Sequence, residues 1–593
     1  MESTPTVPAK RGSSQIWMLC VALLLPCLSA FSALYDSRDG LLLVYLLAGA
    51  TIFTVRVKFS ETDGDRFFPL ILASATLSLL LSGTLNSVNL SGNDIHQEFA
   101  LFQQVLQGGV WHPEISLTYN SALSVTILPT MISLICSFDG TLLLKTVYPL
   151  IYSIVPIILY RIYRMMMAPT AAAISVFVFL SYPASYLEIG QLARQMIAEL
   201  LMVLLFWLLL SSGFRKSRAA RTSLVIVTTI GLIMSHYSLG LICIYLIGIS
   251  FIARRILGLK SRMEQSTNAF ALSIVAAIAW YFFVAGGSVL QEVTGMSSFV
   301  TEGFSNFFNP ASRPPAFLDA LGLTSAPASP LHAINRFTQY LVLFCIVLGF
   351  VIYVRTKPRT TIAETIIPLM VGSMGLLIAA VALPYFSTTL NLSRIYQLAL
   401  LFISPCFYFG GAKIVSCLRW LCALLTRKHI RIRAETSILA AILFSYLLFT
   451  SGWVWAITLD TPDSVVLDMG RIANSSDRYL ITHYYRYYTL TEDVAAARWI
   501  RSYGSADQSV CGDFISRTQV LNSYGGYERE GPILPICLYY IQRYYLYLGV
   551  MGSIRGVGVG ASKYGLFMWQ VNFTSLQTEN RIYSDEATIY EFH

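Results

Sequence analysis

Asp94 and Glu98 stand four residues apart in the stretch Ser91-Gly92-Asn93-Asp94-Ile95-His96-Gln97-Glu98. On a helix that spacing sets both carboxylates on one face, with His96 nearby. A carboxylate beside a cavity can take a proton from an attacking acceptor, and the pair Asp94 and Glu98 could hold a divalent cation. A solvated amphipathic helix would carry the same spacing. A second group reads Glu188-Ile189-Gly190-Gln191-Leu192-Ala193-Arg194, with Glu199 five residues on. Arg194 and Glu199 lie at the edge of an apolar helix, where a charge is costly unless paired or facing a cavity. Pairing with each other, or with Glu188, is the simple expectation. In a third turn Arg394 opens an apolar stretch with Tyr396 beside it. An arginine there can grip a phosphate bidentately or snorkel to lipid headgroups.

These residues must be carried by membrane helices. The 593 residues are 55% hydrophobic and 12% charged, with a mean hydropathy of +0.61, more apolar surface than one water-soluble core can hide. The apolar residues fall in fourteen blocks: 16–34, 40–57, 67–87, 121–138, 143–163, 170–187, 194–212, 222–236, 238–253, 268–286, 336–355, 364–384, 394–414 and 436–457. Most have the length, roughly 15–22 residues, that carries a helix across a bilayer. The first block follows Lys10 and Arg11 like a signal peptide, but a second follows closely, so it reads as a retained span.

The net charge of +9 gathers in short connections, among them Arg56/Lys58/Arg66, Arg161/Arg164, Arg215 to Arg221, Arg254 to Arg262, Arg355 to Arg359 and Lys413 to Arg433. This reports topology and not a nucleic-acid partner: these connections and the N-terminus are cytoplasmic, and the others face out. The long loop 88–120 contains no Lys or Arg, as an exported loop should. Blocks 121–138 and 143–163 must then cross an odd number of times, so 121–138, broken by Pro129, is expected to be re-entrant or at the surface. Block 222–253 is basic at both ends and so a hairpin, with arms of only about 15 residues. Its apex, Ser235-His236-Tyr237-Ser238, is expected to be recessed into a cavity. Sequons at Asn89, Asn391, Asn474 and Asn572 all fall outside in this scheme, as chance alone also allows.

From about residue 458 the composition becomes that of a small exported α/β or α+β domain. Glu492 to Tyr503 reads as a helix, Val510 to Ile515 as a strand, and Ile582 to Phe592 as a strand pair turning at Ser584-Asp585-Glu586. The tyrosine-rich stretches His483 to Tyr488 and Tyr539 to Tyr547 read as core or membrane-facing surface more readily than as sugar platforms. Cys511 and Cys537 stand alone there; an oxidising exterior permits a bond, and the spacing does not decide it.

Asp94, Glu98, Glu188, Arg194, His236 and Arg394 thus fall on one side of one membrane. Carboxylates and arginines together suit a transferase that takes a group from a phosphate-linked lipid. On these residues the chain resembles the GT-C superfamily of polyprenyl-phosphate-dependent glycosyltransferases, which includes protein O-mannosyltransferases, aminoarabinose transferases and oligosaccharyltransferase catalytic subunits. Asp94 and Glu98 match the acidic pair of that superfamily's first exported loop. Glu188 to Arg194 is similar to its G-R-x-A-R turn, with Gln191 in place of the first Arg, and Arg394-Ile395-Tyr396 to Pro405 resembles its R-Y-x-x-P helix start. The acidic spacing is wider than the family's, the loop continues Trp111-His112-Pro113, and the tail has no WWD-type motif, unlike oligosaccharyltransferases. Asp94-Ile95-His96-Gln97-Glu98 and Ser235-His236-Tyr237 also resemble segments of uncharacterised multi-spanning membrane proteins of archaeal type.

The resemblance implies an α-helical polytopic membrane protein of about 13 spans and GT-C-like fold, residues 1–457, followed by an extracytoplasmic domain, 458–593. It implies an inverting glycosyltransferase using a polyprenyl-phosphate (dolichol-phosphate-type) sugar donor and a glycan, lipid or protein acceptor. Asp94 would be the base, assisted by Glu98. Arg194 and Arg394 would hold the phosphate, while His96, Glu188, Gln191, His236, Tyr237 and Tyr396 line the cavity and the 287–335 loop helps admit the acceptor. A transporter or lipid-linked-sugar flippase would also place charges around a cavity, though with repeats that are not evident. A non-enzymatic surface assembly protein would depend on its tail instead.

Overall fold

A computed structural model describes residues 12–56, 61–115, 118–211, 217–259, 266–309, 312–313, 318, 327, 329–356, 361–389, 391–426, 435–505, 508–526, 544–562, 565–577 and 579–592. All fourteen apolar stretches contain helices. Among the described residues, ten helices are long and apolar enough to cross a membrane, and Met18–Leu34, Ile127–Cys136, Pro169–Leu180 and Glu435–Thr450 are shorter. Ile127–Cys136 has ten residues, about 15 Å against a hydrocarbon core of about 30 Å. It is too short to cross, whereas Gly140–Arg164 is long enough, which fits one crossing for the pair.

The apex at His236 departs from expectation in its cause. The hairpin arms are Arg218–Ser235 and Tyr237–Leu257, 18 and 21 residues, because both helices run on into their basic ends. His236, extended at φ −160°, is the single break between them and is buried by packing, not by short arms.

Pro169–Leu180 ends early for a different reason. Pro183 and two 3-10 turns, Pro183–Ser185 and Ile189–Gln191, keep residues 181–192 irregular before the helix Ala193–Leu210 begins. The helix Leu392–Thr426 carries Arg394 in its first turn and crosses Pro330–Thr356 at close range. Gly349 and Gly410 make that possible: a Cβ on Gly349 would fall on the Cys406 carbonyl oxygen, and one on Gly410 on that of Cys345. Small residues at a crossing let two backbones approach where lipid supplies no hydrophobic drive.

Beyond Trp453–Thr458 lie the helices Met469–Ala473, Arg478–Tyr487 and Thr491–Tyr503 and two sheets. Strands β1 (Ser509–Cys511), β2 (Tyr544–Leu548), β6 (Thr588–Phe592) and β5 (Asn580–Ser584) form one sheet in that order. β1 and β2 run parallel and the other pairs antiparallel, while β3 (Val557–Ser562) and β4 (Gly565–Gln570) form a separate hairpin. The expected helix and terminal strand pair are present. The strand expected at Val510–Ile515 stops at Cys511, because the Asp513 carboxylate accepts the Ser516 backbone N–H at 2.8 Å and starts a helical turn. Tyr485, Tyr487 and Tyr488 are buried, as is the whole of β2, so these tyrosines serve packing; residues 539–543 lie outside the described set. Cys511 is disulfide-bonded, and Cys537 lies outside the described residues. Of the sequons, Asn391, Asn474 and Asn572 are exposed, but the Asn89 amide donates to the Thr489 carbonyl at 3.1 Å.

If the Gly349 crossing holds the Arg394 helix in place, Gly349→Val should cost about 3 kcal/mol. A thermal melt of the detergent-solubilised variant reads this, and an unchanged melting temperature would mean the helices do not meet there.

Candidate functional site

The acidic residues sit on the helix Asp94–Gly108, whose apolar stripe of Ile95, Phe99 and Phe102 is buried. The segment before it is held from three sides. The Lys145 ammonium donates to the Ser87 carbonyl and, at 3.2 Å each, to those of Val88 and Asn89. Ser91 forms a β-bridge with Tyr488, and the Gly92 N–H donates to the Tyr487 carbonyl at 2.7 Å. Gly92 has φ +103°, and a Cβ there would collide with Gln191, so only glycine suits this turn.

Glu98 is fully buried and reaches the start of another helix. One of its oxygens accepts the Ala193 backbone N–H at 2.8 Å, and the other accepts from Arg194 Nη1 at 2.7 Å. The helix Ala193–Leu210 has Leu192 as its N-cap, which offers no side-chain acceptor. Glu98 supplies the missing cap from a different helix, where the helix dipole also favours an anion. Arg194 Nη2 donates to Asp94 Oδ2 at 3.3 Å, and its guanidinium lies 3.9 Å over the Tyr119 ring. Arg394 Nη1 donates to the same Asp94 Oδ2 at 3.2 Å. Asp94, Glu98, Arg194 and Arg394 therefore form one cluster.

Arg194 does not pair with Glu199 or Glu188. A separation of five residues turns the two side chains about 140° apart around the helix. Glu199 instead accepts from Tyr152 at 2.8 Å and Gln195 at 2.7 Å, and Glu188 accepts from Ser393 at 2.6 Å. His96, two residues after Asp94, points to the opposite side of its helix, away from the carboxylates. It is buried against Tyr524 with Nε2 2.9 Å from Thr489 Oγ1, so it joins the helix to the C-terminal segment. Gln191 packs on Gly92, and Tyr396 meets the Tyr182 ring edge-on at 4.9 Å. His236 is buried within electrostatic reach of both Arg194 and Arg394.

Tyr237 donates to Glu292 at 2.8 Å, at the polar end of a cavity of ≈ 370 Å³ lined also by Ile242, Met296, Leu376 and Phe386. Tyr119, Glu292, Lys145 and Arg486, whose charge acts on Asp94, are parts that sequence reasoning missed. Only Lys145 left a signal, as a lone charge inside an apolar block.

Burial alone would raise Asp94, but the charges of Arg394 and Arg194 outweigh it and hold the carboxyl below its ordinary value, ionised at neutral pH. Burial pushes Glu98 up to about 7 against the pull of Arg194, with Asp94 adding to the rise. Among the described residues no group of three or more His, Cys, Asp or Glu side chains is arranged for a metal. Both Glu98 oxygens and Asp94 Oδ2 face N–H donors, three of them from guanidinium groups, a setting that disfavours a divalent cation at this pair.

Burial lowers His96 to about 3 from an ordinary 6.5, so the unfolded chain binds a proton that the folded chain refuses. This stability is full above about pH 6.5 and is lost as pH falls toward 3, about 2 kcal/mol by pH 5. Thermal melts at pH 7 and pH 5 should show His96→Gln losing less on acidification than the wild type. Equal losses would mean His96 is not held neutral.

The profile of the DUF2206 family, described as predicted membrane protein, matches residues 221–592, which include His236, Arg394 and the sheets. No curated protein matches the chain. Among solved structures, the archaeal oligosaccharyltransferase AglB from Archaeoglobus fulgidus, in complex with an inhibitory peptide and a dolichol-phosphate, is 11% identical over 85% of this chain and 74% of that chain, with a TM-score of 0.47. The Archaeoglobus fulgidus oligosaccharyltransferase in complex with Zn and sulfate is 11% identical over 85% and 73%, with a TM-score of 0.45. With more than half of its sequence inside the family match, the chain is an integral membrane protein that belongs to the DUF2206 family.

Proposed function

We propose that the protein is a membrane glycosyltransferase that moves a sugar from a polyprenyl-phosphate-linked donor to a hydroxyl or amide acceptor. One observation carries the reading. Arg194 Nε, Arg394 Nε and His236 Nδ1 are all buried without a hydrogen-bond partner. They belong to one charged cluster, and Tyr237, the neighbour of His236, borders the ≈ 370 Å³ cavity. Unpartnered buried nitrogens are costly, so they favour an anionic ligand, and the adjoining apolar walls favour one with a hydrocarbon chain. The acidic-loop and arginine-turn resemblances point the same way.

In this reading the acceptor attacks the anomeric carbon, and the bond from that carbon to the phosphate oxygen breaks. The phosphate leaves with the electron pair toward the arginines, and Asp94 takes the acceptor's proton. Asp94 Oδ2 is shared by Arg194 and Arg394. A donor phosphate competes for those guanidiniums, which frees Asp94 and makes it a stronger base only once donor is bound. Glu98 holds Arg194 and the helix start. The orientation follows from the basic connections: N-terminus cytoplasmic, with the site, the 287–335 loop and residues 458–593 on the opposite side.

Purified protein given a panel of polyprenyl-phosphate sugars should transfer sugar, and Asp94→Asn, with its melt checked, should lower kcat by about 10²–10⁴-fold. Arg394→Gln should weaken donor binding about tenfold. An Asp94→Asn enzyme working at the wild-type rate would remove Asp94 as the base. Movement of the lipid between vesicle leaflets without any transfer would make the protein a flippase.

A further inference from the structure

Each carboxylate that flanks Arg194 in the sequence is bonded to the helix of the other arginine. Glu188 stands six residues before Arg194 and Glu199 five after it. Ser393, the residue before Arg394, donates its hydroxyl to Glu188 Oε2 at 2.6 Å. Gln397, one turn beyond Arg394, donates to Glu199 Oε2 at 3.3 Å and to the Tyr152 hydroxyl at 3.2 Å. Gln195 Nε2 donates to Glu199 Oε1 at 2.7 Å and to Gln397 Oε1 at 3.2 Å, and Tyr152 donates to Glu199 Oε2 at 2.8 Å. Arg394 is thus bracketed by two ties, and both run to the segment that carries Arg194.

The second tie is closed on itself. Gln195, Gln397, Glu199 and Tyr152 are all buried, and both hydrogens of each amide and the Tyr152 hydroxyl are used within the four. Breaking such a contact leaves a buried polar group unpaired, which costs about 1–3 kcal/mol. Further along, the same two helices meet through the Phe206 and Phe402 rings, edge to face with centroids 4.8 Å apart. An apolar contact of that kind tolerates a small slide or rotation, whereas a hydrogen bond is lost when its atoms part by roughly half an ångström. The ties therefore set how the two helix starts stand, and with them the two guanidiniums that reach Asp94 Oδ2 at 3.3 and 3.2 Å. The charge of Glu188 also acts with that of Arg394, which adds to the first tie.

We propose that Glu188 and Glu199 are positioning residues that fix the spacing of Arg194 and Arg394, so that the two guanidiniums converge on one phosphate group. This rests on the glycosyl-transfer reading, in which those arginines hold the donor phosphate. The two carboxylates act on the donor through Ser393, Gln397 and the arginines. Two guanidiniums that share one carboxylate oxygen stand close enough to share one phosphate.

The test uses the full-length protein in detergent, with geranylgeranyl phosphate as probe and geranylgeraniol, the same chain without the phosphate, as control. Ser393→Ala removes the first tie and Gln397→Met the second; in Gln397→Met, Glu199 keeps Tyr152 and Gln195 as donors. Each variant should bind geranylgeranyl phosphate several-fold more weakly, and the two changes together should approach the loss of about tenfold expected of Arg394→Gln. In an Arg394→Gln background the same changes should weaken binding no further, because they act through Arg394. A loss that persists in that background would mean general loosening and overturn the inference, as would unchanged affinity in either variant. Ser393→Ala deletes only a hydroxyl in the first turn of its helix, so it carries the test if Gln397→Met does not fold. A wild type that binds geranylgeranyl phosphate no better than geranylgeraniol would instead sink the lipid-phosphate reading itself.

Discussion

Glu98 directs both carboxylate oxygens at the first turn of one helix, and the site is built around that contact. A buried carboxylate with an incomplete shell would cost several kcal/mol, and removing one partner of such a pair typically costs about 3–5 kcal/mol. Here each oxygen meets a donor, one a backbone N–H and the other a guanidinium nitrogen. The helix Ala193–Leu210 gains a cap that its own residues lack, and Arg194 is aimed at Asp94 as a result. The distance between the acidic helix and the Arg194 helix is thus set by a charge pair, whereas elsewhere close-packed small residues set it, as at Gly349 and Gly410.

The charges are graded by exposure. Glu98 is sealed and pushed toward neutrality, and Asp94, with 15% of its side chain exposed, is held ionised by two guanidiniums. Arg194 is inside and Arg394 half inside. The guanidiniums of Arg394 and Arg194 keep Asp94 weakly basic.

Several polar groups between the helices are matched within the protein. Glu199, Tyr152, Gln195 and Gln397 satisfy one another between the helices that carry Arg194 and Arg394. Lys145 is matched by three carbonyls instead of a carboxylate. Arg194 Nε, Arg394 Nε and His236 Nδ1 are buried without a partner, as are His96 Nδ1, Asn86 Oδ1 and Arg254 Nε among others.

The positions of the helices were legible from one sequence, because hydrophobic runs are local and the bilayer thickness sets their length. So was the pairing of Asp94 and Glu98 on one helix face, which depends only on a spacing of four. The partners of the charges were not. Arg194 lies nearer in sequence to Glu188 and Glu199, yet it bonds residues almost a hundred positions away, because partner choice depends on which helix starts come together. His96 shows the same limit: the step of two that turns it from Asp94 was in the sequence, but Thr489 and Tyr524 waiting on that side were not. Arg486, Tyr119 and Glu292 belong to segments whose local sequence carries no trace of the cluster. Local spacing determined the helices and the face of each residue; only tertiary packing decided which charges meet, since an ion pair forms over a few ångströms whatever the length of chain between its members.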